Sequence, residues 1–157
     1  MNADPLSAVT YNKAICDCSK VESLWYRALE MFDKMEEAVG VVPDINSHNR
    51  IIEAETRFGC PRRALQLFED MQSREMNLDA DTYKIALHAC GKLGQVNRQM
   101  QLLSEMELFG LQPNNRHFTA IIRSFMEVGR PDHVLQLFIE MVRHRVIPDK
   151  RTLLEAS

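Results

Sequence analysis

The sequence predicts an all-α fold, an α-solenoid of stacked helical hairpins, and three observations carry that prediction. An eight-residue phrase is written four times, beginning at Ala28, Ala64, Gln99 and Val134. A recurrence of about 35 residues is the mark of an array in which each repeat is one pair of helices. In each copy the first, second, fifth and eighth residues are mostly apolar, as in Ala28, Leu29, Phe32 and Met35, which is one stripe of a 3.6-residue helix. A single helix cannot bury such a stripe, so the copies must stack on one another. Finally, glycine and proline punctuate the copies at matching places: Gly59, Gly94 and Gly129 between helices, and Pro43, Pro113 and Pro148 near the close of each repeat.

Composition bounds the function. The 157 residues are 45% apolar and 26% charged, which suits one globular domain or a short solenoid. A net charge of −3 gives no overall basic character, so a nucleic-acid surface would have to be local. No apolar run approaches the roughly 18 residues of a membrane span. Cys16, Cys18, Cys60 and Cys90 form no C-x-x-C pair and have no histidine at ligand spacing, which argues against zinc. Cys18 and Cys90 fall at equivalent places on apolar stripes and read as reduced core residues, as in a reducing compartment.

Taken in order, residues 1–7 are a lead with no arginine and no apolar core, so no targeting peptide is expected in this chain. The first repeat, 8–44, has Thr10 as helix cap, then Tyr11, Ala14, Ile15 and Cys18 inward, and a second helix over about Ser23 to Val39. It is irregular, as first repeats often are: it lacks a glycine between its helices, carries Trp25 and has one extra residue before Pro43 and Asp44. In the second repeat, 45–79, Ser47 is the expected cap, Ile51 and Ile52 face inward, Gly59 stops the helix and Pro61 opens the next. Glu55 falls on the inner stripe. An unpaired carboxylate there would cost several kcal/mol, so Glu55 should reach solvent or an arginine.

The third repeat, 80–114, has Thr82 as expected cap, Tyr83, Ala86, Leu87 and Cys90 inward, and Gly94 and Gly110 at its helix ends. In the fourth, 115–149, Phe118, Ile121, Ile122, Phe125 and Met126 define one inner stripe. Val134, Leu135, Phe138, Met141 and Val142 define the other. Residues 150–157 begin a fifth repeat.

The helix start Thr10-Tyr11-Asn12, its echo at Thr82-Tyr83, the mid-repeat glycine, the phrase itself and the closing Pro-Asp at 43–44 and 148–149 together resemble the pentatricopeptide repeat (PPR), in its P-type tandem form. The resemblance covers residues 8–157 and implies about four helix-turn-helix repeats. It also implies single-stranded RNA as partner, read one base per repeat along the groove of the first helices, in the RNA metabolism of a mitochondrion or chloroplast. By that resemblance the base is selected by the residue after the helix-start aromatic together with the last residue of the repeat. The pairs are Asn12 with Asp44, Asn49 with Asp79, Lys84 with Asn114, and Thr119 with Asp149. Asn with Asp implies uracil and Thr with Asp guanine, while Lys84 with Asn114 carries no assignment. Val9 and Arg116 stand where the family wedges bases, the other repeats having Asn46 and Asp81 there. A carboxylate such as Asp81 would be repelled by phosphate.

Lys20, Arg57 and Lys92 recur near the ends of three first helices, where they would either contact phosphates or complement the helix dipole; Glu127 breaks the row. The first helices are mildly basic and the second ones acidic, as an RNA groove requires. The alternative is a protein-interaction scaffold or a subunit of an organelle ribonucleoprotein assembly, with the terminal Asp residues serving only as helix caps. An enzyme is not expected, because no nucleophile–base pair and no His-x-Glu with Cys-x-x-Cys deaminase set occurs. No cofactor is implied.

Overall fold

The computed structural model describes residues 7–157; the lead at 1–6 lies outside the described residues. Among these, the chain forms nine α-helices, one 3-10 turn and no strand. They group into two compact units, one ending at Asn77 and the other beginning at Leu78.

In the first unit α1 (Ala8–Ser19) and α2 (Trp25–Glu37) form one hairpin, and α3 (Ile45–Phe58) and α4 (Pro61–Ser73) form the next. The first helices α1 and α3 pack side by side. Tyr11, Ile15, Ala28, Phe32, Met35 and Ile51 make the joint core between the hairpins, with Leu29, Met31 and Leu67 against it. Pro61 occupies the first turn of α4, where its missing N–H costs nothing. Glu55 is buried in this unit and takes the arginine alternative: Arg63 Nε lies 3.4 Å from its Oε1, and its Oε2 accepts the Cys60 amide at 2.9 Å.

In the second unit α5 (Ala80–Lys92) pairs with α6 (Val96–Leu108). The helix α7 (Asn115–Glu127) is followed by a 3-10 turn at Pro131–His133, then α8 (Val134–Arg143) and α9 (Lys150–Glu155). Here too the first helices α5, α7 and α9 lie side by side. Tyr83, Leu87, Cys90, Phe118, Ile121 and Phe125 are among the fully covered core residues. At Gly91 the space for a side chain is already filled by Ser124 of α7, so glycine is what lets α5 and α7 approach. Gln99, the one polar first residue of the phrase, is buried and donates from Nε2 to the Leu87 carbonyl at 2.9 Å.

The second helices of the last three hairpins end alike. The amide of Met76, Leu111 and Val146 returns to the carbonyl of Met71, Met106 and Met141, the last residue of the phrase, at 3.1, 2.8 and 2.8 Å. This is the Schellman closure, which places the preceding residue in the left-handed region. Gly110 fills that place at φ 75°, but Glu75 and Arg145 hold it at 53° and 57° with side chains.

Several expectations need correcting. The helix caps are Ser7, Asp44 and Asp79, three residues before Thr10, Ser47 and Thr82. The side-chain oxygen, a hydroxyl in Ser7 and a carboxylate in the two Asp residues, accepts the third helical amide, which a cap must do and which Thr10, Ser47 and Thr82, already inside the helix, cannot. The second helix of the first hairpin begins at Trp25 and ends at Glu37. Ala14 and Cys18 are half-buried, and Met126 is exposed. In α8 the inward residues are Val134, Leu137 and Met141, whereas Leu135 and Val142 face out and Phe138 lies between. Spacings of three and four keep 134, 137 and 141 on one side, and a residue at 135 or 142 falls about a quarter-turn or more away.

Gly91→Ala should lower stability by about 1–3 kcal/mol through overpacking, and Ser124→Gly in the same chain should restore part of it. Arg145→Gly should raise stability by about 1 kcal/mol by removing left-handed strain. Denaturant titration of the three variants checks both.

Candidate nucleic-acid interface

The residues singled out for base selection lie on the first helices and on the caps that precede them. In the first unit Asp44 caps α3 and does two things at once. Its Oδ1 accepts the Ser47 amide at 2.8 Å and lies 2.8 Å from the Ser47 hydroxyl. Its Oδ2 accepts the Asn12 side-chain amide at 3.2 Å, across from α1. The Ser47 hydroxyl also meets Asn12 Oδ1. Asn12 and Asp44 are therefore joined directly, and Ser47, unrecognised in sequence as a member of the site, closes a three-residue network. Asn49 is buried on α3 of this unit.

In the second unit Asp79 caps α5 through the Thr82 amide and hydroxyl, each at 2.8 Å. Asp149 caps α9 in the same manner, with the Thr152 amide and hydroxyl at 2.8 Å. These bonds, the amide first and the hydroxyl next, hold the Asp149 carboxyl below its ordinary pKa. Thr152 also reaches Thr119, hydroxyl to hydroxyl at 3.0 Å, so Thr119 and Asp149 are linked through one intervening side chain. Lys84 and Asn114 differ. Lys84 Nζ turns to Asp81 at 3.4 Å, while Asn114 Oδ1 accepts the Arg116 amide at 3.0 Å as cap of α7.

His117 occupies the position held by Ser47, Thr82 and Thr152 in the other copies, a correspondence visible in the repeat alignment but missed for a lone histidine. Its Nε2–H donates to the Ala80 carbonyl at 2.9 Å, and its Nδ1 accepts the Asn114 amide at 3.2 Å. The ring thus ties the start of α5 to the cap of α7 as a neutral group. Burial pushes its pKa below the ordinary imidazole value, partly offset by the Ala80 carbonyl.

The wedge positions are open: Val9 is 76% exposed and the Arg116 side chain 72%. Asp81 is not an isolated negative charge, because Lys84 and Arg116, the latter at 4.0 Å, flank it. Lys20 and Arg57 are exposed at the ends of α1 and α3, Arg57 lying over the Phe58 ring at 5.0 Å. Lys92 is half-buried and paired with Glu127 at 3.7 Å, so Glu127 does more than interrupt the row. Arg123 is likewise engaged, at 2.7 Å from Glu155 of α9.

The family model described as the pentacotripeptide-repeat region of PRORP matches residues 46–155. The chain belongs to the pentatricopeptide-repeat family. A chloroplastic pentatricopeptide repeat-containing protein of Arabidopsis thaliana is 24% identical over 136 residues, 84% of this chain and 22% of its own length. A second Arabidopsis thaliana protein of the family is 33% identical over 92 residues, 58% of this chain and 15% of its own. The chain thus spans less than a quarter of the length of these relatives. Among solved structures, PPR10 in complex with an 18-nt psaJ RNA element aligns over 99% of this chain and 23% of its own, with TM-score 0.84 and 22% identity. The PPR domain of Arabidopsis thaliana protein-only RNase P 1, in complex with tRNA, aligns over 95% and 78%, with TM-score 0.78 and 18% identity. These structures share the fold of the chain.

Because His117 is neutral when folded, the sign of its pH effect is set. Its contribution to stability is fully present above the unfolded imidazole value, about 6.5, and is lost as pH falls below it toward the lower folded pKa. Thermal unfolding between pH 7.5 and 5 should fall more steeply for the natural chain than for His117→Gln, and the His117 ring resonances should titrate below 6.5. Equal pH profiles for the two chains would refute the assignment.

Proposed function

We propose that the chain is a sequence-selective, single-stranded RNA-binding module that takes one base per repeat along its first helices. The observation that carries this reading is the Asn12–Asp44–Ser47 network. A carboxylate fixed by a helix cap orients the side-chain amide of the neighbouring helix, which can then present a set donor and acceptor pattern to a base edge. The Thr119–Thr152–Asp149 chain supports an equivalent arrangement with a hydroxyl. Exposed Val9 and Arg116 supply surfaces on which bases can pack.

Likeness to PPR10, whose solved complex holds RNA, and to relatives named as chloroplastic or mitochondrial supports a role in organelle RNA metabolism. The expected order of bases is uracil, uracil, an unselected position and guanine. The third position stays unselected because Lys84 is turned to Asp81 while Asn114 is engaged as the cap of α7. The proposed activity is RNA binding without turnover.

Selection from random RNA should enrich U-U-N-G, and Asn12→Ala should flatten the first position alone, since Asp44 still caps α3. No enrichment would overturn the reading. On the phosphate side, Lys20→Gln with Arg57→Gln should reduce the slope of log affinity against log salt by about 1.4, at about 0.7 per contact. Glu127→Gln should steepen it by releasing Lys92. Slopes unchanged in both variants would return these cations to helix-end stabilisation.

A further inference from the structure

We infer that the residue three places past a repeat's cap is a positioning residue for base selection. A hydroxyl there, as at Ser47 and Thr152, holds the base-selecting side chain, and the imidazole of His117 withholds that support from the third repeat. This role rests on the proposed RNA binding and adds a third determinant to each selecting pair.

In the first unit the two ends of the Asn12 amide are held by different residues. Its Nδ2 donates to Asp44 Oδ2 at 3.2 Å, and its Oδ1 accepts the Ser47 hydroxyl. The outer torsion of an asparagine side chain is broad. A bond to Asp44 alone lets the amide turn, and a second bond at the opposite end fixes its plane. One N–H and one oxygen lone pair are then left for a base. Uracil sets an N3–H donor beside its O4 acceptor, whereas cytosine sets an N3 acceptor beside its N4 donor. The two edges ask for opposite orientations of the amide, so discrimination between them depends on a fixed plane.

In the second unit the hydroxyl carries the whole connection. Thr152 is buried, and its Oγ1 lies 3.0 Å from Thr119 Oγ1 and 2.8 Å from Asp149 Oδ1. His117 is committed differently. Its Nε2–H donates to the Ala80 carbonyl and its Nδ1 accepts the Asn114 amide, both main-chain groups. Neither ring nitrogen is left to hold a side chain at position 84.

Side-chain nitrogen relaxation of Asn12, measured without RNA, reads the positioning directly. The Asn12 order parameter should fall in Ser47→Ala and be kept in Ser47→Thr. Both variants retain the cap of α3, because the main-chain amide at 47 still reaches Asp44. Binding of U-U-N-G RNA oligonucleotides, varied one base at a time, reads the consequence. Ser47→Ala should reduce the uracil-over-cytosine preference at the first base about fivefold and leave guanine preferred at the fourth. Thr152→Val should flatten the fourth base and spare the first. Lys84→Asn with Asn114→Asp should leave the third base unselected while His117 is present. Adding His117→Thr should create a uracil preference of about fivefold there.

An Asn12 amide equally rigid in Ser47→Ala, or uracil selection by the double variant with His117 in place, overturns the inference. So does a triple variant that stays unselective while the first base is still read. A natural chain with no preference at any base, whose Asn12 amide is nonetheless loosened by Ser47→Ala, overturns the RNA reading and upholds the positioning of Asn12 by Ser47.

Discussion

Everything in this fold depends on how one repeat hands the chain to the next, and that is a helix-capping interaction. Asp44, Asp79, Asn114 and Asp149 each lie just outside a first helix and satisfy amides that the helix cannot satisfy itself. A cap of this kind is worth about 1 kcal/mol, small beside the apolar burial between hairpins. Its larger effect is geometric. It fixes where the next helix begins, and the buried stripe has the right phase only if that starting point is right. In the first unit the capping carboxylate also reaches Asn12 on the preceding first helix. The junction between repeats and the residues proposed to read bases are therefore one structure.

Much of this was legible in the sequence because period and stripe are redundant. Four copies of one phrase outvote any local irregularity, and Ile51, Ile52, Phe118, Ile121 and Phe125 could be placed inward without any coordinates. The caps were displaced by three residues for a specific reason. The pattern Asp-x-x-Ser or Asp-x-x-Thr offers two good capping side chains, and periodicity does not say which stands outside the helix. In α8 the apolar residues exceed what one face can hold, so the pattern alone could not decide between Leu135 and Leu137.

The interface was less legible because its interactions run between residues one repeat apart. Lys92 with Glu127 and Arg123 with Glu155 are close only because equivalent first helices stand side by side. Opposite charges spaced by roughly one period were the available signal. Reading each helix for its own charge misses it, and so overstates how many cations face solvent. Arg123 is an example, because Glu155 consumes it and draws its own carboxyl below the ordinary pKa through that bond. His117 shows the same blindness, since its two partners lie on different helices of the second unit.

One consequence follows from a carboxylate that caps a helix while it holds a neighbour's side chain. The position answers to two masters, so its permissible alphabet is the intersection of two lists. Helix starts accept Asp, Asn, Ser and Thr and disfavour almost everything else. Any vocabulary written at that site must be spelled with short oxygen-bearing side chains, whatever a nucleic acid would prefer. The partner on the preceding helix is under no such restriction, as Asn12, Lys84 and Thr119 illustrate. Diversity in recognition should accumulate on that side of each pair, while the capping side drifts little among repeats that still fold.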